Sequence, residues 1–216
     1  MHHVPVKPGE KVIALTFDDG PWPDSTEKIL AILKRNNIKA TFFMVGSVVK
    51  EYPKIARSVR ADGHSIGSHS WSHPLRPRDP KEQIDRTDAI IKKTVGITPT
   101  TYRPPYGALK NGMDKRAMQL HKAVIIWSDD SNDWKRPPAA RMAATVLREA
   151  SPGGIVLMHD GGGPRSRTVE ALPIIIEDLQ KRGYRFVTVP ELLRMRYVPP
   201  KPTAKPKPTK KKPEKN

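Results

Sequence analysis

The chain contains Val12-Ile-Ala-Leu-Thr-Phe17, an apolar run that ends abruptly at Asp18-Asp19-Gly20-Pro21. A run of this composition predicts a strand that is buried on both faces, as in a parallel sheet. In α/β folds, ligands bind at the C-terminal ends of such strands. The pair Asp18 and Asp19 is therefore a candidate for a functional site, although Asp, Gly and Pro also favour an ordinary solvated turn.

Further strand-like runs alternate with helical segments along the chain. The helical segments repeat apolar residues at a spacing near 3.6, as in Ile29, Leu30, Ile32 and Leu33. Alternation of this kind predicts a parallel sheet, and the pattern alone fits an open doubly wound sheet as well as a barrel. The predicted strands cover residues 12–17, 40–45, 64–66, 101–103, 123–127, 154–158 and 184–189.

A second polar group of residues is His69-Ser-Trp-Ser-His73. Two imidazoles four residues apart can meet on one side of a helical turn, and a carboxylate from elsewhere can complete a three-ligand catalytic zinc site. Most His pairs at this spacing are surface or hydrogen-bonded core residues. The pair becomes a stronger metal candidate because an acidic pair ends a strand elsewhere in the chain.

Three more segments place polar side chains after apolar runs. They are Arg103-Pro-Pro-Tyr-Gly107, Ser128-Asp-Asp-Ser-Asn-Asp-Trp134 and Leu157-Met-His-Asp-Gly161. Each has an ordinary explanation, namely a proline turn, an Asx-rich turn and a structural histidine. Their repetition at successive strand ends favours a shared site.

Five motifs occur in order: Thr16-Phe-Asp-Asp-Gly-Pro21, His69-Ser-Trp-Ser-His73, Arg103-Pro-Pro-Tyr106, Asp130-Ser-Asn-Asp-Trp134 and Leu157-Met-His159. Together they resemble the polysaccharide deacetylases of carbohydrate esterase family four, the nodulation-type deacetylase domain. The resemblance implies a distorted (β/α) barrel of about seven parallel strands. It also implies metal-dependent hydrolysis of acetamide groups, which are linear amides, on N-acetylglucosamine residues of peptidoglycan or chitin.

By this resemblance, a divalent metal is bound by Asp19, His69 and His73. Zinc is the simplest choice, and Co²⁺ or another divalent ion also fits. Asp18 is then free to act as the base. Its expected orienting partner is Arg103, which should favour the ionised carboxylate.

The remaining roles follow from the same resemblance. The backbone amide of Tyr106 should help to hold the oxyanion, and His159 should protonate the leaving amine. A nearby carboxylate favours imidazolium, so Asp133 should raise the pKa of His159. Trp134 and Leu157 are expected to wall the pocket for the acetyl methyl group.

Three alternative functions share part of this pattern. An acetyl-xylan O-deacetylase would use the same site, and a non-catalytic glycan-binding protein would keep the fold without needing both acid and base. An inverting glycosidase also needs two carboxylates, but Asp18 and Asp19 are adjacent and accompany a His pair, which argues against it. All four tryptophans lie in or beside the motifs, consistent with a carbohydrate ligand; we expect Trp127, at a strand end, to be a core residue.

Composition fits one globular domain. The chain has 216 residues, 37% of them hydrophobic, and no cysteine, which excludes a thiol nucleophile, a Cys-bound metal and a disulfide. No apolar stretch approaches the length of a transmembrane segment, and the N-terminal residues lack the apolar core of a signal peptide. The resemblance nevertheless implies a secreted or cell-envelope protein, and we expect a monomer.

The composition changes near residue 198. Residues 199–216 hold seven Lys, six Pro and one Glu, so they carry +6 of the formal charge of +17. We predict a catalytic domain over residues 1–198 and a disordered, extended tail over 199–216. Such a tail can contact an anionic cell wall electrostatically. No nucleic-acid motif accompanies it.

Overall fold

The computed structural model describes residues 1–199, which form one curved sheet with helices packed against it. The strands are β1 (Val12–Asp18), β2 (Thr41–Met44), β3 (Ser65–Ser68), β4 (Thr101–Tyr102), β5 (Ala123–Val124), β6 (Asp129–Asp130), β7 (Gly154–His159) and β8 (Arg185–Phe186). The helices are α1 (Ser25–Arg35), α2 (Gly46–Glu51), α3 (Pro53–Ala61), α4 (Pro80–Val95), α5 (Met113–Gln119), α6 (Ala139–Glu149), α7 (Ser166–Lys181) and α8 (Val189–Arg194).

All strand pairs are parallel, and the order across the sheet is β5-β4-β3-β2-β1-β7-β6. The central strand β1 has two neighbours on one side, because β8 pairs with its first residues and β2 with its last. The sheet curls into a half-barrel that stays open between the end strands β5 and β6. The prediction of a distorted (β/α) barrel is confirmed.

The two faces of β1 pack into different cores because its side chains alternate in direction. Ile13, Leu15 and Phe17 join the large cluster that packs against the helices, where Phe17 stacks on Phe42 with ring centroids 5.1 Å apart. Val12 and Ala14 belong to a second cluster on the opposite face. Asp18 follows the parity of this second face, so its carboxylate lies inside the curl, at the C-terminal end of the strand.

Each predicted strand is present, with differences at its ends. The run 123–127 is a strand only at β5, after which the chain crosses to the opposite end of the sheet and forms β6, which sequence patterning missed. Similarly, the run 184–189 is a strand only at β8, since Thr188 caps α8 with its side chain. Periodicity cannot distinguish a short apolar strand from a buried extended connection.

Within residues 1–199, no helix is both long enough and apolar enough to cross a bilayer. The amide of Tyr197 donates to the carbonyl of Pro5, 2.8 Å away. The predicted tail lies outside the described residues apart from Pro199, so the boundary at residue 198 stays a prediction.

Candidate active site

The predicted site residues converge on one cavity of about 420 Å³ at the C-terminal rim of the sheet. Residues Asp18 and His159 are register partners at the ends of β1 and β7, so the predicted base and acid lie side by side. Arg103 and Asp133 lie behind them, as their hydrogen-bond partners. The cavity is lined by Asp18, Asp19, His69, His73, Pro104, Tyr106, Trp127, Asp130, Trp134, Leu157, His159 and Arg165.

The three predicted metal ligands form a tight cluster. One ligand atom from each of Asp19, His69 and His73 lies within 4.8 Å of the other two. The Nε2 atoms of both histidines are 3.5 Å from Asp19 Oδ1, and within the described chain that buried oxygen accepts no hydrogen bond. A buried carboxylate oxygen without a donor is costly unless a cation completes its surroundings. The residues therefore fit a divalent metal.

His69 is held in the form that a metal requires. Its Nδ1 atom donates to the carbonyl oxygen of Arg103 at 2.7 Å, which leaves Nε2 directed at Asp19. Burial lowers the pKa of His69 to about 3, so its imidazole is neutral near pH 7. A second-sphere hydrogen bond of this kind fixes the tautomer of a metal-binding histidine.

The expectation that the two imidazoles meet across a helical turn is wrong. Residues 69–73 form an irregular loop after β3. Ser70 and His73 adopt left-handed conformations, with φ of 67° and 55°, and the amide of His73 donates to Ser70 Oγ at 3.0 Å. The loop folds back on itself, which brings the ring centroids of His69 and His73 to 4.8 Å.

Asp18 makes a buried ion pair with Arg103, whose Nη1 lies 2.7 Å from its Oδ1. The guanidinium is fully buried, bonds also to Thr16 Oγ1, and stacks over Phe43 with its carbon 4.2 Å from the ring centroid. Burial raises the pKa of Asp18 above its ordinary value even though the charge of Arg103 lowers it. Arg103 thus favours the ionised carboxylate, as expected, but desolvation is the larger effect, so the pKa of Asp18 stays above its ordinary value.

His159 is paired with Asp133, and the distance from Nδ1 to Oδ1 is 2.7 Å. The other oxygen of Asp133 accepts from the amide of His159 at 2.8 Å and from the hydroxyl of Thr168 at 2.9 Å. Burial works against the imidazolium, but the hydrogen bond and charge of Asp133 outweigh it and raise the pKa of His159 to about 9. His159 is therefore protonated near neutrality.

The remaining predicted residues form the cavity wall. Tyr106 has φ of 57°, and its exposed ring lies edge-on to His73 at 4.5 Å. Trp134 is about half exposed, and Leu157 is buried at the floor. Trp127 was expected in the core but is only partly buried and lines the cavity.

Sequence reasoning assigned no role to Asp160, Arg165 or Thr168. Asp160 is buried and accepts hydrogen bonds from the amide of Gly20 and the hydroxyl of Thr26. Arg165 is buried at the cavity edge, where its Nε donates to the carbonyl of Gly161 at 2.7 Å. Asp160 directly follows His159, so its position in the sequence could have indicated a role at the site. By contrast, nothing in the local pattern around Arg165 or Thr168 indicated contact with the site.

Known proteins are similar to this chain in sequence and in fold. The model of the polysaccharide deacetylase family matches residues 6–125. A peptidoglycan-N-acetylglucosamine deacetylase of Bacillus cereus is 39% identical over 193 residues, which cover 87% of this chain and 91% of that protein. A peptidoglycan-N-acetylmuramic acid deacetylase of Bacillus subtilis is 40% identical over 87% of this chain and 40% of its own length. A crystal structure of a peptidoglycan N-acetylglucosamine deacetylase superposes with a TM-score of 0.85 at 36% identity, covering 89% of this chain and 92% of that one.

Proposed function

Because the chain belongs to the polysaccharide deacetylase family, we propose that it removes acetyl groups from N-acetylglucosamine residues of peptidoglycan by metal-dependent hydrolysis. Its activity class is that of a polysaccharide N-deacetylase, as in its relatives. One observation supports the proposal above all. A single cavity holds the carboxylate of Asp18, the protonated imidazole of His159 and the cluster of three candidate metal ligands. A binding protein would have no need of both Asp18 and His159.

Amide hydrolysis requires an activated water, a stabilised oxyanion and a protonated leaving nitrogen. Asp18 accepts the proton of the attacking water, since burial keeps its pKa above the ordinary value and Arg103 fixes its orientation. The amide of Tyr106, in a turn held by two prolines, donates to the developing oxyanion. His159 then transfers the proton on its imidazolium to the departing amine, and Asp133 holds the ring in place for that step.

Asp19, His69 and His73 would hold the metal, with Zn²⁺ the simplest candidate for one carboxylate and two imidazoles. When bound, such an ion supplies Lewis-acid activation of water and stabilisation of negative charge. Leu157 and Trp134 enclose the space next to the acid, which suits the small acetyl methyl group. Action on peptidoglycan places the protein at the cell envelope or outside the cell.

A substrate panel tests this proposal. We expect acetate release from peptidoglycan fragments, with mass spectrometry showing the loss of one acetyl group per modified N-acetylglucosamine. Chitooligosaccharides and acetyl-xylan serve as comparison substrates, and Asp18→Asn is the inactive control. Acetate release from acetyl-xylan alone would make the chain an O-deacetylase, and new reducing ends without acetate would indicate a glycosidase.

A further inference from the structure

A second cavity of about 630 Å³ lies beside the active-site cavity, and the two share Arg165. Trp22 and Lys28 line it from the β1–α1 side, and Ser166 and Glu170 line it from α7. Its size suits a sugar ring with a substituent, since ligand cavities commonly span about 300–1,000 Å³. One glycan can therefore place one sugar in each cavity.

Arg165 is a largely buried residue whose guanidinium makes no direct ion pair among residues 1–199, although its charge and that of Asp133 interact at longer range. Arg165 is only 7% exposed, and its Nε donates a hydrogen bond to the carbonyl oxygen of Gly161. Among residues 1–199, no carboxylate oxygen lies within 4.0 Å of this guanidinium, and its terminal nitrogens have no hydrogen-bond acceptor. The terminal nitrogens retain some contact with solvent, at the edge that the two cavities share. These nitrogens can therefore donate hydrogen bonds to an anion that comes from outside the chain.

The start of α7 adds a second feature that favours negative charge. The helix has 16 residues, begins at Ser166 directly after Arg165, and has neither a side-chain cap nor an acidic residue in its first turn. The free amides of a first helical turn, together with the helix dipole, attract anions. Ser166 lines the second cavity, so this helix end and Arg165 serve the same space.

The other charged residues of the cavity leave Arg165 dominant. Lys28 is paired with Asp24, whose Oδ1 lies 2.8 Å from its Nζ, and both side chains are largely exposed. Glu170 is exposed on the next turn of α7. Water screens exposed charges strongly, whereas a buried charge acts through a lower dielectric.

The geometry points to a subsite for a carboxylate-bearing sugar next to the reacting one, bound by Arg165 and the N-terminus of α7. A guanidinium binds a carboxylate through two parallel hydrogen bonds, and Trp22 offers an apolar surface for the ring. This inference rests on the proposed function, because in peptidoglycan the neighbour of N-acetylglucosamine carries a lactyl ether with a carboxyl group or an acidic stem peptide. Chitin offers no carboxylate, so the subsite would distinguish the two polymers.

Three matched glycans test the subsite: a neutral chitooligosaccharide, a peptide-free peptidoglycan strand with lactyl carboxylates, and the same strand with stem peptides. We measure kcat/KM on each for the wild type, Arg165→Gln and Glu170→Gln. Arg165→Gln should lower the ratio of acidic to neutral kcat/KM by about tenfold or more, the loss of a charge-assisted hydrogen bond. Glu170→Gln, which removes an opposing charge on the same wall, should not lower it. The two acidic glycans separate the lactyl carboxylate from the peptide as the bound group.

Two outcomes overturn the subsite: an unchanged ratio in Arg165→Gln, or a wild type that handles acidic and neutral glycans alike. The second comparison needs no variant, so it decides even if Arg165→Gln fails to fold. Calorimetric binding of the acidic and neutral glycans separates this inference from the proposed function. Tighter binding of the acidic glycan without acetate release would support the subsite and refute the deacetylase proposal.

Discussion

Asp18 and His159 face one cavity, yet each is tuned by a different balance of burial and charge. For Asp18, burial outweighs the attraction of Arg103 and raises the pKa of the carboxyl group. For His159, the hydrogen bond and charge of Asp133 outweigh burial and raise the pKa to about 9. The negative charges of Asp18 and Asp19 act in the same direction as Asp133 and raise the pKa of His159 further.

Replacement of the carboxylate behind the acid should move the alkaline limit of activity. In Asp133→Asn, the pKa of His159 should fall from about 9 towards its ordinary value near 6.5, so the alkaline limb of kcat/KM against pH moves to lower pH. Metal content, measured by elemental analysis, should not change. An alkaline limb at its wild-type position would show that His159 does not supply the proton.

The same ion pair links pH to stability. Because the folded pKa of His159 lies above its unfolded value, the pair contributes fully below about pH 6.5 and loses its contribution as the pH rises through about 9.

Metal ligation and base catalysis should separate by mutation. His69→Ala removes one of three ligands and should abolish metal retention after dialysis, whereas Asp18→Asn should retain the metal and lose activity by about 100-fold or more. Elemental analysis and acetate release measure the two effects. Thermal unfolding is the control, since Asp18→Asn leaves Arg103 buried without its counterion. Stoichiometric metal in His69→Ala would refute the ligand assignment.

The β1–α1 and β7–α7 connections hydrogen-bond to each other at the C-terminal rim of the sheet. The amides of Asp160 and Gly161 donate to the carbonyl of Asp18 at 3.0 and 3.3 Å. In return, the Asp160 carboxylate accepts from the amide of Gly20 at 3.1 Å and from Thr26 Oγ1 at 2.6 Å. Asp19, between these contacts, has φ of 75°, a left-handed conformation that needs support from its neighbours. Asp160 therefore positions a metal ligand from the segment that also carries the acid.

Loss of the hydrogen bonds that Asp160 accepts should weaken metal binding. Asp160→Ala removes the acceptor for Gly20 and should raise the metal Kd by about 10- to 100-fold, the usual effect of losing an outer-sphere partner. Asp160→Asn should restore most of the affinity, since its amide can accept from Gly20 and donate to Thr26. Competition with a chelator measures Kd without reference to turnover. Equal affinities in the alanine variant and the wild type would contradict the positioning role.

The sequence predicted the long strands that carry this site better than the short segments and loops that connect them. Buried parallel strands appear in a sequence as apolar runs. The sequence therefore predicted β1, β7 and the polar residues at their ends. Strand β6 was missed because its two residues are both Asp, which patterning assigns to a turn. The fold of residues 69–73 depends on left-handed residues that carry no glycine signal. Arg165 was missed because its local sequence gives no sign that the β7–α7 connection buries it at the edge of the cavity.

The open rim and the positive charge of the chain are compatible with the polymeric substrate that we propose. Tyr106 and Trp134 stay exposed beside the cavity, so a glycan strand can pass over the site without an end being inserted. Residues 1–198 carry a formal charge of +11 from the total of +17. A basic protein gains encounter rate and retention on an anionic cell wall, most at low ionic strength.

Removal of the Lys/Pro-rich segment should therefore change retention and not chemistry. Truncation after Val198 removes seven Lys and one Glu, so it should weaken binding to insoluble cell wall, more at low salt than at high salt. Turnover of a short soluble oligosaccharide should stay unchanged. The 216-residue chain with the seven lysines of this segment replaced by Gln is the matched control and should behave like the truncated chain. Co-sedimentation with purified cell walls measures binding, and a large drop in Tm on truncation would show that the folded domain extends past residue 198.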